Sequence, residues 1–254
     1  MGKIISGYLW AWRNTERGKK SVETLRKFYP DSDIFINVDF EGDVDTYKQI
    51  SEEIDASFSI NNFQLGYCGN FGQVDVGYLC WSKESTFEWV RGIYEACLKT
   101  DSKYFMLLEE DDFVLKPISI LDTEFSMAIH PTDPAPNGNY RANAIPQYFK
   151  NFISNNGGNP NSPGYASGGG VIFNRLEFIK SWETKKDIIW ENYDDLKNYN
   201  KIIGWADYIL QFIMQLGGYE IIQNHQLCEE WEIPNWKDFE IVTGLKDLEQ
   251  IKQL

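Results

Sequence analysis

The chain has 254 residues, 43% of them hydrophobic and 24% charged, with 20 glycines and 9 prolines; this is ordinary globular composition and argues against disorder, collagen-like repeats and coiled coil. Acids outnumber bases 38 to 24, a formal charge of −14, which excludes a nucleic-acid backbone as main partner, since binding it needs clustered lysine and arginine. The same excess makes a bare phosphate costly to bind unless a cation stands between it and the carboxylates.

Residues 3–9 read as a short buried strand. Residues 19–29 place Val22, Leu25, Phe28 and Tyr29 at helical spacing, and Pro30 stops that helix. Residues 34–38 are apolar on both faces and read as a second strand. Strand, helix and strand within about 36 residues make a βαβ unit and imply a parallel sheet, with ligands expected at the carboxyl ends of its strands. Asp39 and Asp43 follow the second strand. Residues 44–56 read as helix, 66–77 as a glycine-punctuated loop, and 84–99 as a helix. Tyr104-Phe105-Met106-Leu107-Leu108 is the strongest strand of the sequence.

Between Pro131 and Pro163 fall 6 of the 9 prolines, so residues 131–166 read as one long loop, of the kind that serves as a lid. Gly168-Gly169-Gly170 and the strand Val171-Ile172-Phe173 follow. Residues 176–198 look helical in parts. Residues 202–216 read as a helix that is apolar nearly all round, therefore buried, and capped by Gly217-Gly218. There is no internal repeat and no linker, so residues 1–254 read as one α/β domain. The aromatic residues, 15% of the chain, are assigned to the core.

The chemistry concentrates at Glu109-Glu110-Asp111-Asp112, directly after the buried strand. If the strand stays extended, Glu110 and Asp112 share one face, and two such carboxylates repel unless a hard divalent cation, Mg²⁺ or Mn²⁺, neutralises them. A metal held by one or two carboxylates keeps positions open for substrate phosphates. Asp207 is a lone carboxylate in an apolar helix, a setting that suits a general base. The glycines at 168–170 allow close approach of a ligand to the backbone. His225, after the strand-like 219–222, is a further candidate metal ligand; His130 is a weaker one.

Taken in order, these pieces resemble a nucleotide-sugar glycosyltransferase of the GT-A fold. The resemblance rests on Tyr104–Asp112, an apolar strand ending in a DxD-like Glu110-Asp111-Asp112, on Ser167–Phe173, and on Gly204-Trp205-Ala206-Asp207. It implies a Rossmann-like, mixed but mostly parallel sheet flanked by helices. It further implies that Asp112 binds the metal, Glu110 faces the donor ribose or the metal, and Asp111 belongs to the same donor site. Asp39 or Asp43 would meet the nucleoside, and Gly168 and Gly169 would lie between donor and acceptor. Asp207 would deprotonate the acceptor hydroxyl in an inverting displacement, and His225 would complete the metal site. The implied donor is a UDP-sugar or a GDP-sugar, and the acceptor a glycan or other hydroxyl. The motif departs from the family in opening with Glu, and no basic cluster for the leaving diphosphate is evident. The rival readings are a nucleotidyltransferase, against which residues 7–20 carry too little glycine, and a non-catalytic metal- and glycan-binding protein.

The N-terminus is too short and polar for a signal peptide, and no apolar run approaches the roughly 18 residues of a membrane span, so a cytoplasmic location is expected. Cys68, Cys80, Cys97 and Cys228 show no CxxC or zinc spacing and read as free buried thiols of a reducing compartment, with disulfides in a secretory compartment as the alternative. Met1-Gly2 with Ser6 matches a myristoylation pattern, but Ser6 falls in the first strand.

Overall fold

A computed structural model of the chain describes residues 2–62, 82–131, 145–164, 168–199, 205–229, 235–245, 247–252 and 254. In chain order the elements are β1 (Ile5–Ala11), α1 (Thr15–Phe28), β2 (Ile34–Asp39), α2 (Val44–Glu53), β3 (Ser57–Asn61), α3 (Lys83–Leu98) and β4 (Tyr104–Leu108). There follow β5 (Phe113–Val114), β6 (Met127–Ile129), α4 (Gln147–Asn155), β7 (Ile172–Asn174), α5 (Arg175–Glu191) and α6 (Tyr193–Tyr199). The chain ends with α7 (Trp205–Leu216), β8 (Ile221–Gln223), β9 (Leu227–Glu229), β10 (Ile241–Thr243) and α8 (Leu248–Ile251).

The main sheet has the order β3-β2-β1-β4-β7-β6-β8. Only β7 runs against its neighbours. This is the mixed, mostly parallel α/β sheet that the βαβ start implies. A small second sheet, β5-β10-β9, sits beside it.

Strand periodicity divides the core into two layers. On β4, Phe105 and Leu107 face α3, α5 and α7, while Tyr104, Met106 and Leu108 pack with α1 and α2. Phe35 and its neighbours Ile34 and Ile36 divide in the same way on β2, because alternate side chains of a strand point to opposite faces. Aromatic rings fill much of the first layer, as expected. Helix starts are set by polar caps: Ser82 Oγ accepts the Ser85 amide at 3.0 Å for α3, and Asn174 Oδ1 accepts the Leu176 amide at 3.1 Å for α5.

The segment 131–166 departs from the single loop expected of it. It contains α4, whose Phe149 and Ile153, one turn apart, are buried. Pro146 stands just ahead of that helix, where a missing N–H costs nothing. Downstream, Gln211 of α7 donates to Ser162 Oγ at 2.8 Å and to the Gly164 carbonyl at 2.7 Å, and Asn159 N donates to the Gln215 carbonyl at 2.8 Å. Its described parts are thus fastened to the core; residues 132–144 and 165–167 lie outside the described residues.

The described part of α7 is buried from Tyr208 to Leu216, as an all-round apolar helix should be, and Gly218 ends it at φ +90°. Residues 202–204 lie outside the described residues, as do the glycine-rich 66–77. Ser6 is buried in β1 and bonded to Thr100. Cys97 is a buried free thiol and Cys228 is buried too, while Cys68 and Cys80 lie outside the described residues. Among the described residues no helix is long and apolar enough to cross a membrane.

Candidate functional site

The carboxyl ends of β1, β2, β4, β6 and β8 and the start of β7 share one edge of the main sheet. At that edge β4 stops in a tight turn. The Asp112 amide donates to the Glu109 carbonyl at 3.3 Å, and the Glu109 amide donates back to Asp112 Oδ2 at 2.5 Å. The expectation that Glu110 and Asp112 share one face of an extended strand is therefore corrected. The reciprocal bonds curl the four acids into a turn, and the two side chains leave it in different directions.

Asp112 goes inward. It is 1% exposed, and its Oδ1 has no hydrogen-bond partner. The Gly169 backbone lies directly on it: a Cβ at 169 would overlap Asp112 Oδ2. Burial pushes the Asp112 carboxyl well above the usual carboxylate range, and the charges of Glu109 and Asp111 push the same way. The glycine strip is held in place by Gly170 N to the Leu107 carbonyl at 2.8 Å, and by His130 Nε2, which donates to the Gly169 carbonyl at 3.0 Å. Gly170 has φ +82° and packs against Leu227 and Thr243, so the small sheet supports the strip from behind.

Glu110 goes outward to the turn after β1. Its Oε1 accepts from the Trp12 amide at 2.6 Å, the Asn14 amide at 3.0 Å and Tyr47 Oη at 2.8 Å. Its Oε2 accepts from Asn14 Nδ2 at 2.7 Å. Asp39 is buried, and its Oδ1 accepts from Trp10 Nε1 and Asn61 Nδ2, both at 3.2 Å. Asp43 caps α2, accepting the Thr46 amide at 3.3 Å, while its own amide donates to the Trp12 carbonyl at 2.6 Å.

Of these groups Glu110 and Asp39 border an open cleft of about 160 Å³, lined also by Trp10, Ala11, Trp12, Asn14, Arg17, Glu109 and Asp111; Asp43 and Asp112 are not among its lining residues. Arg17 is the only cation among these lining residues. It sits in the first turn of α1, where the helix dipole adds to its charge. Composition hides this residue: one arginine among four basic residues over 13–20 does not make a phosphate loop. The strand-to-helix turn after β1 was the available signal.

His225 lies exposed in the turn between β8 and β9, and the Asn224 amide donates to the Ile129 carbonyl at 2.8 Å, which fixes that turn beside the end of β6. Among the described residues no three His, Cys, Asp or Glu side chains form a ready metal cage. Residues 217–220 reverse the chain from α7 into β8; Asp207 lies in the first turn of α7, and its side chain lies outside the described residues.

No protein-family model matches the sequence, and no curated protein matches it. Solved structures do. An active-site mutant of LgtC aligns over 95% of this chain and 88% of its own, with TM-score 0.51 and 11% identity. The galactosyltransferase LgtC with donor and acceptor sugar analogues aligns over 93% and 86%, with TM-score 0.50 and 12% identity. Core-mannan synthase A (CmsA/Ktr4) of Aspergillus fumigatus, in a Mn/GDP form, aligns over 86% and 72%, with TM-score 0.51 and 11% identity. At such identities the likeness is one of fold: the chain has the GT-A fold of nucleotide-sugar glycosyltransferases.

Proposed function

We propose that the chain transfers a sugar from a UDP- or GDP-linked donor to a hydroxyl group of a glycan or other acceptor, with Mn²⁺ or Mg²⁺ as cofactor. Asp112 carries the reading: a buried carboxyl with an unpartnered oxygen, under a glycine strip, at the carboxyl edge of a GT-A sheet. Such a group is unfavourable by itself, and two further carboxylates beside it make it more so. A hard divalent cation relieves that arrangement, so the residues fit the cofactor. Asp112 would hold the cation, with Asp111 beside it and His225 from the β8–β9 turn. When bound, the cation neutralises charge on the departing diphosphate.

The chain's own residues supply the rest. Arg17 faces the same cleft and meets the diphosphate as a guanidinium, which pairs with phosphate oxygens in a fork. Asp39 and Trp10, which line the cleft, receive the nucleoside; Asp43 caps α2 and is not among the lining residues. Gly168 and Gly169 admit the sugar close to the backbone. Asp207 takes the proton from the acceptor hydroxyl as that oxygen attacks the anomeric carbon, and the anomeric configuration inverts.

The test is a thermal-shift panel with UDP, GDP, CDP and dTDP, each with and without Mn²⁺. A ligand that binds only the folded state raises the melting temperature by mass action. The expected result is a shift for UDP or GDP that requires Mn²⁺ and is erased by Asp112→Ala. A shift for Mn²⁺ alone, with none for any nucleotide, would support a non-catalytic binding protein and remove the role of Asp207.

A further inference from the structure

We propose that Glu110 is a positioning residue for the nucleotide and not a ligand of the metal, an inference that rests on the glycosyltransferase reading. A carboxylate offers about four acceptor positions on its two oxygens. Here four donors converge on them: the amides of Trp12 and Asn14, the Asn14 side-chain amide and the Tyr47 hydroxyl. Three of them bear on Oε1, which is thereby closed to a cation, and the fourth bears on Oε2, so the carboxylate sits in a ring of N–H and O–H dipoles that repels one. The neighbour two residues on is the reverse case, since Asp112 is buried with an oxygen that accepts nothing. The turn thus separates two tasks that spacing alone assigns to both acids.

What Glu110 holds is the start of α1. Asn14 is the residue just before that helix, and Gly18 N donates to the Asn14 carbonyl at 2.8 Å, so fixing Asn14 fixes the first turn. Trp12, Asn14 and Arg17 from this stretch line the cleft. The fourth donor arrives from α2. Tyr47 is fully buried, and its hydroxyl occupies the place where a Cβ of Gly18 would sit. A glycine inside a helix costs about 1 kcal/mol relative to alanine. The close approach of Tyr47 is what that glycine permits. One carboxylate therefore ties the β4 turn, the β1–α1 turn, α1 and α2 to a single geometry, and the cleft is the space that geometry encloses.

The experiment compares wild type with Glu110→Gln, Glu110→Ala and Tyr47→Phe. Amide hydrogen exchange at Trp12 and Asn14, read without ligand, tests the clamp itself. Titration with UDP and GDP at several Mn²⁺ concentrations then separates nucleotide affinity from metal requirement. Glu110→Ala should lose protection at both amides and bind nucleotide about tenfold or more weakly, a loss of about 1.4 kcal/mol or more, with an unchanged Mn²⁺ midpoint. Glu110→Gln keeps an accepting oxygen and should stay within about threefold of wild type, with Tyr47→Phe between the two and correctly folded. If Glu110→Gln raises the Mn²⁺ midpoint as Asp112→Asn does, Glu110 is a metal ligand and the proposal falls. If protection is lost while nucleotide affinity holds, the clamp serves stability alone and the proposal also falls. A wild type that binds neither nucleotide, with protection still lost in Glu110→Ala, overturns the glycosyltransferase reading while leaving the clamp intact.

Discussion

Replacing Asp112 by Asn should make the metal-free protein more stable and the loaded protein less so. The side chain is buried, one oxygen accepts the Glu109 amide, and the other has no partner while Glu109 and Asp111 press on it with like charge. Asparagine keeps the accepting oxygen for Glu109 N and places an NH₂ donor where the orphan oxygen stood. Leaving a charged group buried and unsatisfied costs about 1–3 kcal/mol or more. For a chain of this size each kcal/mol moves the melting point by about 2–4 °C, so a gain of about 3–10 °C is expected at pH 7.5 in EDTA.

The pH dependence has a definite sign. The folded carboxyl titrates above its unfolded value of about 3.9, so between the two values the native state binds more protons than the unfolded state. Stability of the wild type is then lost as pH rises through that window, while the Asn variant has no such loss. Denaturant unfolding of both proteins at pH 4 and pH 7.5 should show their difference growing with pH. In Mn²⁺ plus the binding nucleotide the order should reverse. An Asn variant less stable than wild type in EDTA at both pH values, by the same amount, would refute the argument and make Asp112 a satisfied structural acid.

Gly169→Ala should abolish the Mn²⁺-dependent nucleotide shift, because its Cβ would overlap Asp112 Oδ2; overpacking of this kind costs about 1–3 kcal/mol, readable by chemical denaturation. Arg17→Ala should weaken nucleoside diphosphate binding about tenfold while leaving the affinity for the free nucleoside unchanged, measured by calorimetry, with the melting point held. Asp207→Asn should lower turnover by about 10²–10⁴-fold with donor binding spared. Proton NMR of the product from wild type should show an inverted anomeric centre, and a retained one would sink the role given to Asp207.

The long elements were legible because their patterns are local. Buried β1, β2 and β4 announce themselves as apolar runs, and α1, α2 and α3 as 3.6-residue periods. The strands β5, β6, β9 and β10 have 2 or 3 residues each and carry no period to read. They exist because neighbouring chain offers a partner edge. β3 was unread because it lies at the edge of the sheet and is mostly exposed, with Ser57 and Ser59 in place of apolar residues. In 131–166 the prolines misled: they bracket α4 instead of preventing it. At the site, the sequence shows which residue types are present but not which way a turn sends them. Spacing placed the acids at a strand end, and the bond from Glu109 N to Asp112 decided their directions.

The opening Glu of the motif, which departs from the aspartate of the family it resembles, has a physical account in this geometry. Glu110 must reach donors on the β1–α1 turn and on α2 at once, at 2.6–3.0 Å. Aspartate is one carbon shorter, about 1.5 Å of reach. From the same backbone its oxygens would stand about 4 Å from Trp12 N, Asn14 N and Tyr47 Oη, beyond hydrogen-bond range. Glu110→Asp preserves charge and restores the family residue, yet it should expose the Trp12 and Asn14 amides to exchange nearly as Glu110→Ala does. Glu110→Gln loses the charge and should keep them protected. If charge at 110 served a cation, the ranking would be the opposite, with Asp tolerated and Gln not. The order of those two variants, read by nucleotide affinity at saturating Mn²⁺, therefore decides whether length or charge is what the position requires.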